Sequence, residues 1–165
     1  MAFDAFLKLD GIPGESTDDK HKEWIEVLSY SHSITQPTSG TVSGSGGRTA
    51  ERCDHADFAI SKQMCKSDPK LALACSRGDH IKEVILQLCR AGGDKQKYME
   101  YKMTDVVVTS VSPGGSAEGG EALPVTSITL GYGKIEITYT EMDSTTGAPK
   151  GDVTSYWDLV ANKGG

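Results

Sequence analysis

Apolar residues recur at every second position through most of this chain, which confines it largely to pleated strands with one face turned inward. Phe3, Ala5, Leu7 and Leu9 share one face of a first strand, with Asp4, Phe6 and Lys8 on the other. Gly11-Ile12-Pro13-Gly14 breaks it, and the charged run from Glu15 to Glu23 is expected to be a solvated loop. A second strand is expected from about Trp24 to Ile34. Trp24, Leu28, Tyr30 and Ile34 fall on one of its faces; Ile25, Val27, Ser29, Ser31 and Ser33 fall on the other. Alternate serines suit either plain solvent exposure or the smooth lining of a wet space, and the residues alone leave both open.

Residues 36–53 are a long break rich in Gly, Ser and Thr, too short of apolar side chains to bury a core of its own. Any order there must come from a partner. Ala56, Phe58 and Ile60 resume the alternation as a third strand. One helix is expected over about 68–77. Ser67 or Asp68 can cap it, Pro69 suits its first turn, and Gly78 can close it in the left-handed conformation. Leu71, Ala74 and Cys75 form the narrow apolar stripe that would seat it.

Val84, Leu86 and Leu88 alternate next, and Ala91-Gly92-Gly93-Asp94 signals a hairpin. Tyr98 to Val111 is long enough for one extended, bent strand, followed by a flexible loop from Ser112 to Gly120. Between Val125 and Met142 the apolar parity changes, from Ile128, Leu130 and Tyr132 to Ile135, Ile137 and Tyr139. Such a slip predicts a bulge, placed at Gly131 or Gly133. Val153 to Val160 reads as the last strand, with Trp157 turned inward. The sum is a mainly β, single-domain β-barrel or sandwich over residues 1–165, with about seven to nine antiparallel strands, one short α-helix and an extended loop.

Composition narrows the function classes. A net charge of −6 disfavours nucleic acid, which needs clustered Lys and Arg. No apolar run is long enough to span a membrane as a helix, so no membrane insertion is expected. An acid at Asp4, with Lys8 and Asp10 close behind, does not fit a signal peptide, so folding in the cytoplasm is expected. Cys53, Cys65, Cys75 and Cys89 form no CxxC pair and read as small fillers. His21, His32, His55 and His80 are scattered, and none belongs to an HExxH pair. Cys53-Asp54-His55 has the look of a metal fragment with nothing nearby to complete it. The acids of 15–23 lack EF-hand spacing, and the glycines of 40–47 lack the Lys-Ser/Thr ending of a phosphate loop. Asp57, Asp105 and Glu136 could pair across a cleft but suit outer faces better. No catalytic residue, cofactor or metal is predicted.

The order of these features resembles the hemolysin-coregulated protein family of bacterial type VI secretion. The opening Met1-Ala2-Phe3-Asp4-Ala5-Phe6-Leu7-Lys8-Leu9, then Gly14-Glu15-Ser16, is similar to the family's first strand and its sequel. Glu26-Val27-Leu28-Ser29-Tyr30-Ser31 resembles its second strand, and the Gly-rich run 40–47 stands in place of its extended loop. Lys62, then Ser67-Asp68-Pro69-Lys70-Leu71, resembles its helix entry, and Ala91-Gly92-Gly93, Val108-Thr109-Ser110-Val111-Ser112 and Gly114-Gly115-Ser116 follow in order. Asp68 replaces the usual Ser or Thr before the proline, and Cys65 stands where an acid is expected.

The resemblance implies a barrel subunit of homohexameric rings stacked into a tube, with spike, baseplate and sheath proteins as partners and effector proteins as possible cargo. It also implies assembly in the cytoplasm and expulsion when the sheath contracts, without a cleaved signal peptide. On that reading Ser29, Ser31 and Ser33 are candidates for the lumen wall. Thr38, Ser39, Gly40, Thr41, Val42, Ser43, Gly44 and Arg48 are candidates for contact with a neighbouring subunit or ring. The alternative is a monomeric or dimeric β-sandwich that binds carbohydrate or protein, for which an exposed aromatic platform is expected.

Overall fold

The computed structural model of the chain describes residues 3–38, 52–92, 95–118 and 123–165. Within them run β1 (Phe3–Leu9), β2 (Ile25–Ser31), β3 (Ile34–Thr35), β4 (Asp54–His55), β5 (Phe58–Gln63), α1 (Asp68–Arg77), β6 (His80–Arg90), β7 (Lys97–Gly114), β8 (Val125–Met142), β9 (Pro149–Asp158) and β10 (Lys163–Gly164). Strands β8, β5, β2, β1, β6 and β7 pair antiparallel in that order, and β7 pairs back onto β8, closing a six-stranded barrel. β8 is long enough to serve two purposes. Its first half pairs with β5 and its second half with β9, while β7 follows it along both.

The predicted alternation fills the barrel. Ala5, Leu7 and Leu9, Phe58 and Ile60, Val84, Leu86 and Leu88, and Ile128 and Leu130 are all buried in one cluster. Helix α1 packs on β7 and buries Leu71 and Ala74, with Cys75 at the margin. Gly78 ends it at φ +67°, its N–H donating to the Ala74 and Cys75 carbonyls. At the other end Ser67 makes no side-chain cap. Asp68 instead turns its carboxylate to the sheet, accepting from Lys62 Nζ and, at 2.6 Å, from the Thr126 hydroxyl. Lys62 is fully buried, so this ion pair fastens the helix start to β5 and β8. Cys65 supplies no charge; its thiol accepts weakly from Lys62 and meets the Ser67 hydroxyl at 2.9 Å.

Four sequence expectations are corrected. The run 15–23 is not simply solvated: Ser16 and His21 are buried, and His21 stacks on Phe6, ring centroids 4.2 Å apart. Phe6 points outward from the barrel, so the loop folds down to cover it. The second strand stops at Ser31, and the register slips between Val27 and Ser29. That bulge puts Leu28 and Ser29 outside together and turns Tyr30 inward, so Ser29 does not share a face with Ile25 and Val27. The parity change in β8 does occur between Tyr132 and Ile135, but the β7 register holds across it, Thr104 with Lys134 and Val106 with Tyr132. β7 flips at the same level, with Asp105 at φ +53° opposite Gly133, so neither strand gains a residue on the other. The register shift lies further on, between Val108 and Ser110. Finally, β7 runs on through Ser112 to Gly114 where a loop was expected.

Candidate assembly surfaces

The bulge in β2 has its main effect on the outside of the barrel. Ser29 pairs with Ser61 of β5, Ser61 with Ser127 of β8, and Ser127 with Ser112 of β7. Two residues along, Ser31 pairs with Ala59, Ala59 with Thr129, and Thr129 with Ser110. Between these rows Tyr30, Ile60, Ile128 and Val111 pair across the same four strands and pack in the core. Alternation therefore sends both rows outward. At a strand spacing of about 4.8 Å, they form a wall about 14 Å wide of small hydroxyl-bearing or methyl side chains. No charge interrupts either row. Thr129 exchanges hydrogen bonds of 2.6 Å with the Thr109 and Ser110 hydroxyls, and Asp57 at the margin accepts from Thr109 at 2.8 Å.

Two of the predicted serines, Ser29 and Ser31, thus stand in a built surface, and Ser33 does not. Ser33 lies past the end of β2, where its carbonyl accepts the Ala56 N–H at 3.0 Å. Ser61, Ser112, Ser127, Thr129 and Ser110 were missed. Each strand carries the same small-residue alternation, Ala59-x-Ser61, Ser110-x-Ser112 and Ser127-x-Thr129, and that repetition was the available signal. Of the predicted contact loop, Thr38 is described and exposed. Ser39, Gly40, Thr41, Val42, Ser43, Gly44 and Arg48 lie outside the described residues.

The stem of that loop is the two-stranded sheet β3–β4, where Ile34 pairs with His55 and Thr35 with Asp54. It rests on a histidine–tyrosine bridge. Tyr132, on β8, has its ring in the core, and its hydroxyl reaches His32 Nε2 at 2.6 Å and His55 Nδ1 at 2.8 Å. His32 also stacks on Phe58, with centroids 4.9 Å apart. Burial pushes both imidazoles below their ordinary titration range, and a neighbouring His55 adds to the effect on His32. Burial also pushes the Tyr132 phenol well up. The Cys53-Asp54-His55 fragment supplies one partner to this bridge, and Cys53 donates to the Thr35 carbonyl at 3.4 Å.

One cluster has the order of a nucleophile, base and orienting acid. Cys89 Sγ lies 3.9 Å from His21 Nε2, and His21 Nδ1 lies 2.7 Å from Asp18. It is not arranged for attack. Cys89 is fully enclosed, and burial followed by the Asp18 and Asp4 charges pushes its thiol up, away from the reactive thiolate. Nε2 is committed at 2.7 Å to the Gln87 carbonyl oxygen, because the Gln87 amide donates to Glu100. Asp57 and Asp105 do line one cleft of about 330 Å³, without Glu136, but they are bound to Thr109 and His80 respectively. Among the described residues no group of three or more His, Cys, Asp or Glu side chains is placed to hold a metal. No helix there is long and apolar enough to cross a membrane.

Two further features face outward. β9 is paired with β8 along its length and, among the described residues, covered on its far side from Tyr156 to Asp158 by β10 and Gly165, which leaves the edge from Pro149 to Ser155 open. Val153 on it is 70% exposed. At the border of β1, β2 and β5, Phe3, Leu28, Met64 and Leu123 are exposed around a cleft of about 320 Å³.

Comparison with known proteins gives one consistent answer. Residues 6–139 match the family described as type VI secretion system effector, Hcp. The chain is 34% identical to protein hcp1 of Pseudomonas aeruginosa over 164 residues, covering 98% of each. Among solved structures, a type six secretion system protein superposes with a TM-score of 0.92 at 33% identity, covering 99% of this chain and all of the other. Hcp1 from Salmonella typhimurium superposes with a TM-score of 0.78 at 33% identity, covering 99% of each. With the fold, the order of motifs and these likenesses in agreement across nearly its whole length, the chain belongs to the Hcp family of type VI secretion proteins.

Proposed function

We propose that this protein is a mechanical, non-catalytic subunit of the type VI secretion inner tube, closing as a homohexamer into rings that stack. The hydroxyl wall of β2, β5, β8 and β7 carries this reading. A surface that passes cargo without holding it should be small, wetted and uncharged, and the wall is all three. Long charged or aromatic side chains would narrow a lumen and bind what moves through it. Ser29 and Ser31 are assigned to that wall, with Ser61, Ser112, Ser127 and Thr129 beside them. Ser33 goes to the loop stem.

The open edge of β9 suits a head-to-tail ring. A heterologous interface closes into a ring when its rotation divides the circle, and an uncovered edge strand is otherwise a liability. The exposed apolar border at Phe3, Leu28, Met64 and Leu123 offers a second flank to bury. The loop 36–53, with Thr38 at its described margin, is assigned to contact with a neighbouring subunit or the next ring. Spike, baseplate and sheath proteins would be the partners of the finished tube, and effector proteins its cargo. On this reading the protein folds in the cytoplasm as one domain and leaves the cell when the sheath contracts.

Light scattering with electron microscopy of the same fraction tests the proposal. A six-subunit ring with an open centre is expected. A compact monomer over a wide concentration range would overturn it in favour of a monomeric binding module.

A further inference from the structure

The bridge between His32, Tyr132 and His55 joins the stem of the extended loop to the barrel. Among the described residues the β3–β4 stem has two residue pairs, and short isolated hairpins are marginal in water. This one is held against the barrel mouth by a phenol hydroxyl shared by imidazoles from the two chain segments that form the stem, with the His32 ring stacked on Phe58 beside it. His32 sits between β2 and β3, and His55 sits in β4.

A hydroxyl has one hydrogen to give. With both histidines neutral, Tyr132 donates to one ring and accepts an N–H from the other, and the hydroxyl and the two ring nitrogens facing it are satisfied. With both rings protonated, each presents an N–H to the same oxygen. The hydroxyl hydrogen then has neither imidazole to receive it, and two like charges share one oxygen in a half-buried site. The surrounding charges do not cancel this. Asp54 precedes His55 in β4 and favours its protonation, but it is exposed. Asp57 is held by Thr109, and Asp105 across the cleft is paired with His80. Arg52, which lines one cleft together with His55, would add positive charge, and Cys53 is committed to the Thr35 carbonyl.

We propose that the His32–Tyr132–His55 bridge is an acid-released latch: it clamps the stem of the extended loop to the barrel at neutral pH and frees it on acidification. The sign follows from the site. Rings that resist protonation in the folded state cost nothing while they are neutral, and the clamp weakens as pH falls below 6.5, the ordinary histidine value. The latch itself stands independently of the ring assignment. Its consequence for assembly, that rings lose the contacts of loop 36–53 in acid, rests on that assignment.

Hydrogen exchange of the full-length protein at pH 7.5 and 5.5, corrected for intrinsic rates, reads the latch directly. Peptides covering 32–35 and 54–56 should lose protection at least about tenfold at the lower pH, while β6 and β7 stay protected. Tyr132→Phe should remove the stem's protection at both pH values. His32→Gln combined with His55→Gln should abolish the pH dependence. Should either variant fail to fold, imidazole NMR of the unmodified protein decides: the two rings should titrate as a coupled pair below 6.5. Equal stem protection at both pH values, or rings titrating independently at or above that value, would overturn the latch. Native mass of the same samples separates the two readings. Absence of rings at pH 7.5 counts against the tube assignment, whereas the exchange result still decides the latch.

Discussion

At the scale of single residues, the structure spends its costliest polar groups on holding elements together. Lys62 is fully buried and answered by Asp68. Burial alone would push the Asp68 carboxyl up, but hydrogen bonds from Lys62 and then Thr126 outweigh it and hold the group below its ordinary 3.8. Its stabilising effect is therefore fully present above that value and drains away as pH falls below it. Lys62→Met leaves the carboxylate without its cation and should cost about 3–5 kcal/mol in denaturant unfolding. Adding Asp68→Leu should restore much of that loss, because a buried ion pair is often replaceable by apolar packing. His21 plays a similar part for the 11–24 loop. Both its nitrogens face acceptors, Asp18 and the Gln87 carbonyl, and hydrogen bonding by His21 and then Lys95 holds the Asp18 carboxyl low against its burial. His21→Leu strands both acceptors and should destabilise by about 1–3 kcal/mol by the same assay.

At the scale of elements, close approach and strand edges decide the outcome. Gly14 lies so near β2 that a Cβ there would stand 2.5 Å from the Trp24 carbonyl oxygen. The backbone must move for any side chain, so Gly14→Ala should cost about 1–3 kcal/mol and loosen the loop that covers Phe6, seen as faster exchange at His21 and Glu23. β9 makes the opposite point. Val153 is exposed on the open edge strand, so Val153→Lys should leave the melting temperature of the isolated subunit nearly unchanged and reduce ring formation in native mass. Intact rings in that variant would place the interface elsewhere. The double flip at Asp105 and Gly133 belongs to this scale too. The apolar parity of β8 alone made a bulge the natural expectation; only the pairing shows β7 turning over in step.

At the scale of the whole molecule, the proposed lumen role of the four-strand hydroxyl wall would tie barrel geometry to transport. Ser31→Trp and Ser127→Trp replace small wall residues with large rings on adjacent registers. In an assembled tube they should leave the ring mass unchanged while reducing co-purification of lumen cargo. Cargo capture that survives both substitutions would move the lumen to another face. The closed barrel also bears on the alternative of a carbohydrate-binding sandwich. Trp24 and Trp157 are both partly buried, Trp24 edge-on to His21 and Trp157 beneath Gly164, so neither forms an open aromatic platform.

Local periodicity was enough for the strand-dominated fold, the helix from Asp68 to Arg77 with its left-handed Gly78 end, and most of the buried set, because these depend on neighbours within a few positions. The order of short motifs carried the family. What local sequence could not carry was register. Ser29 and Ser31 were legible as small exposed residues, yet the wall they belong to exists only because a bulge at Val27–Ser29 aligns them with β5, β8 and β7. His32, His55 and Tyr132 looked scattered because up to a hundred positions separate them in the chain. Barrel closure brings them to one hydroxyl. Pairing between distant strands is a property of the closed sheet, and no window along the chain contains it.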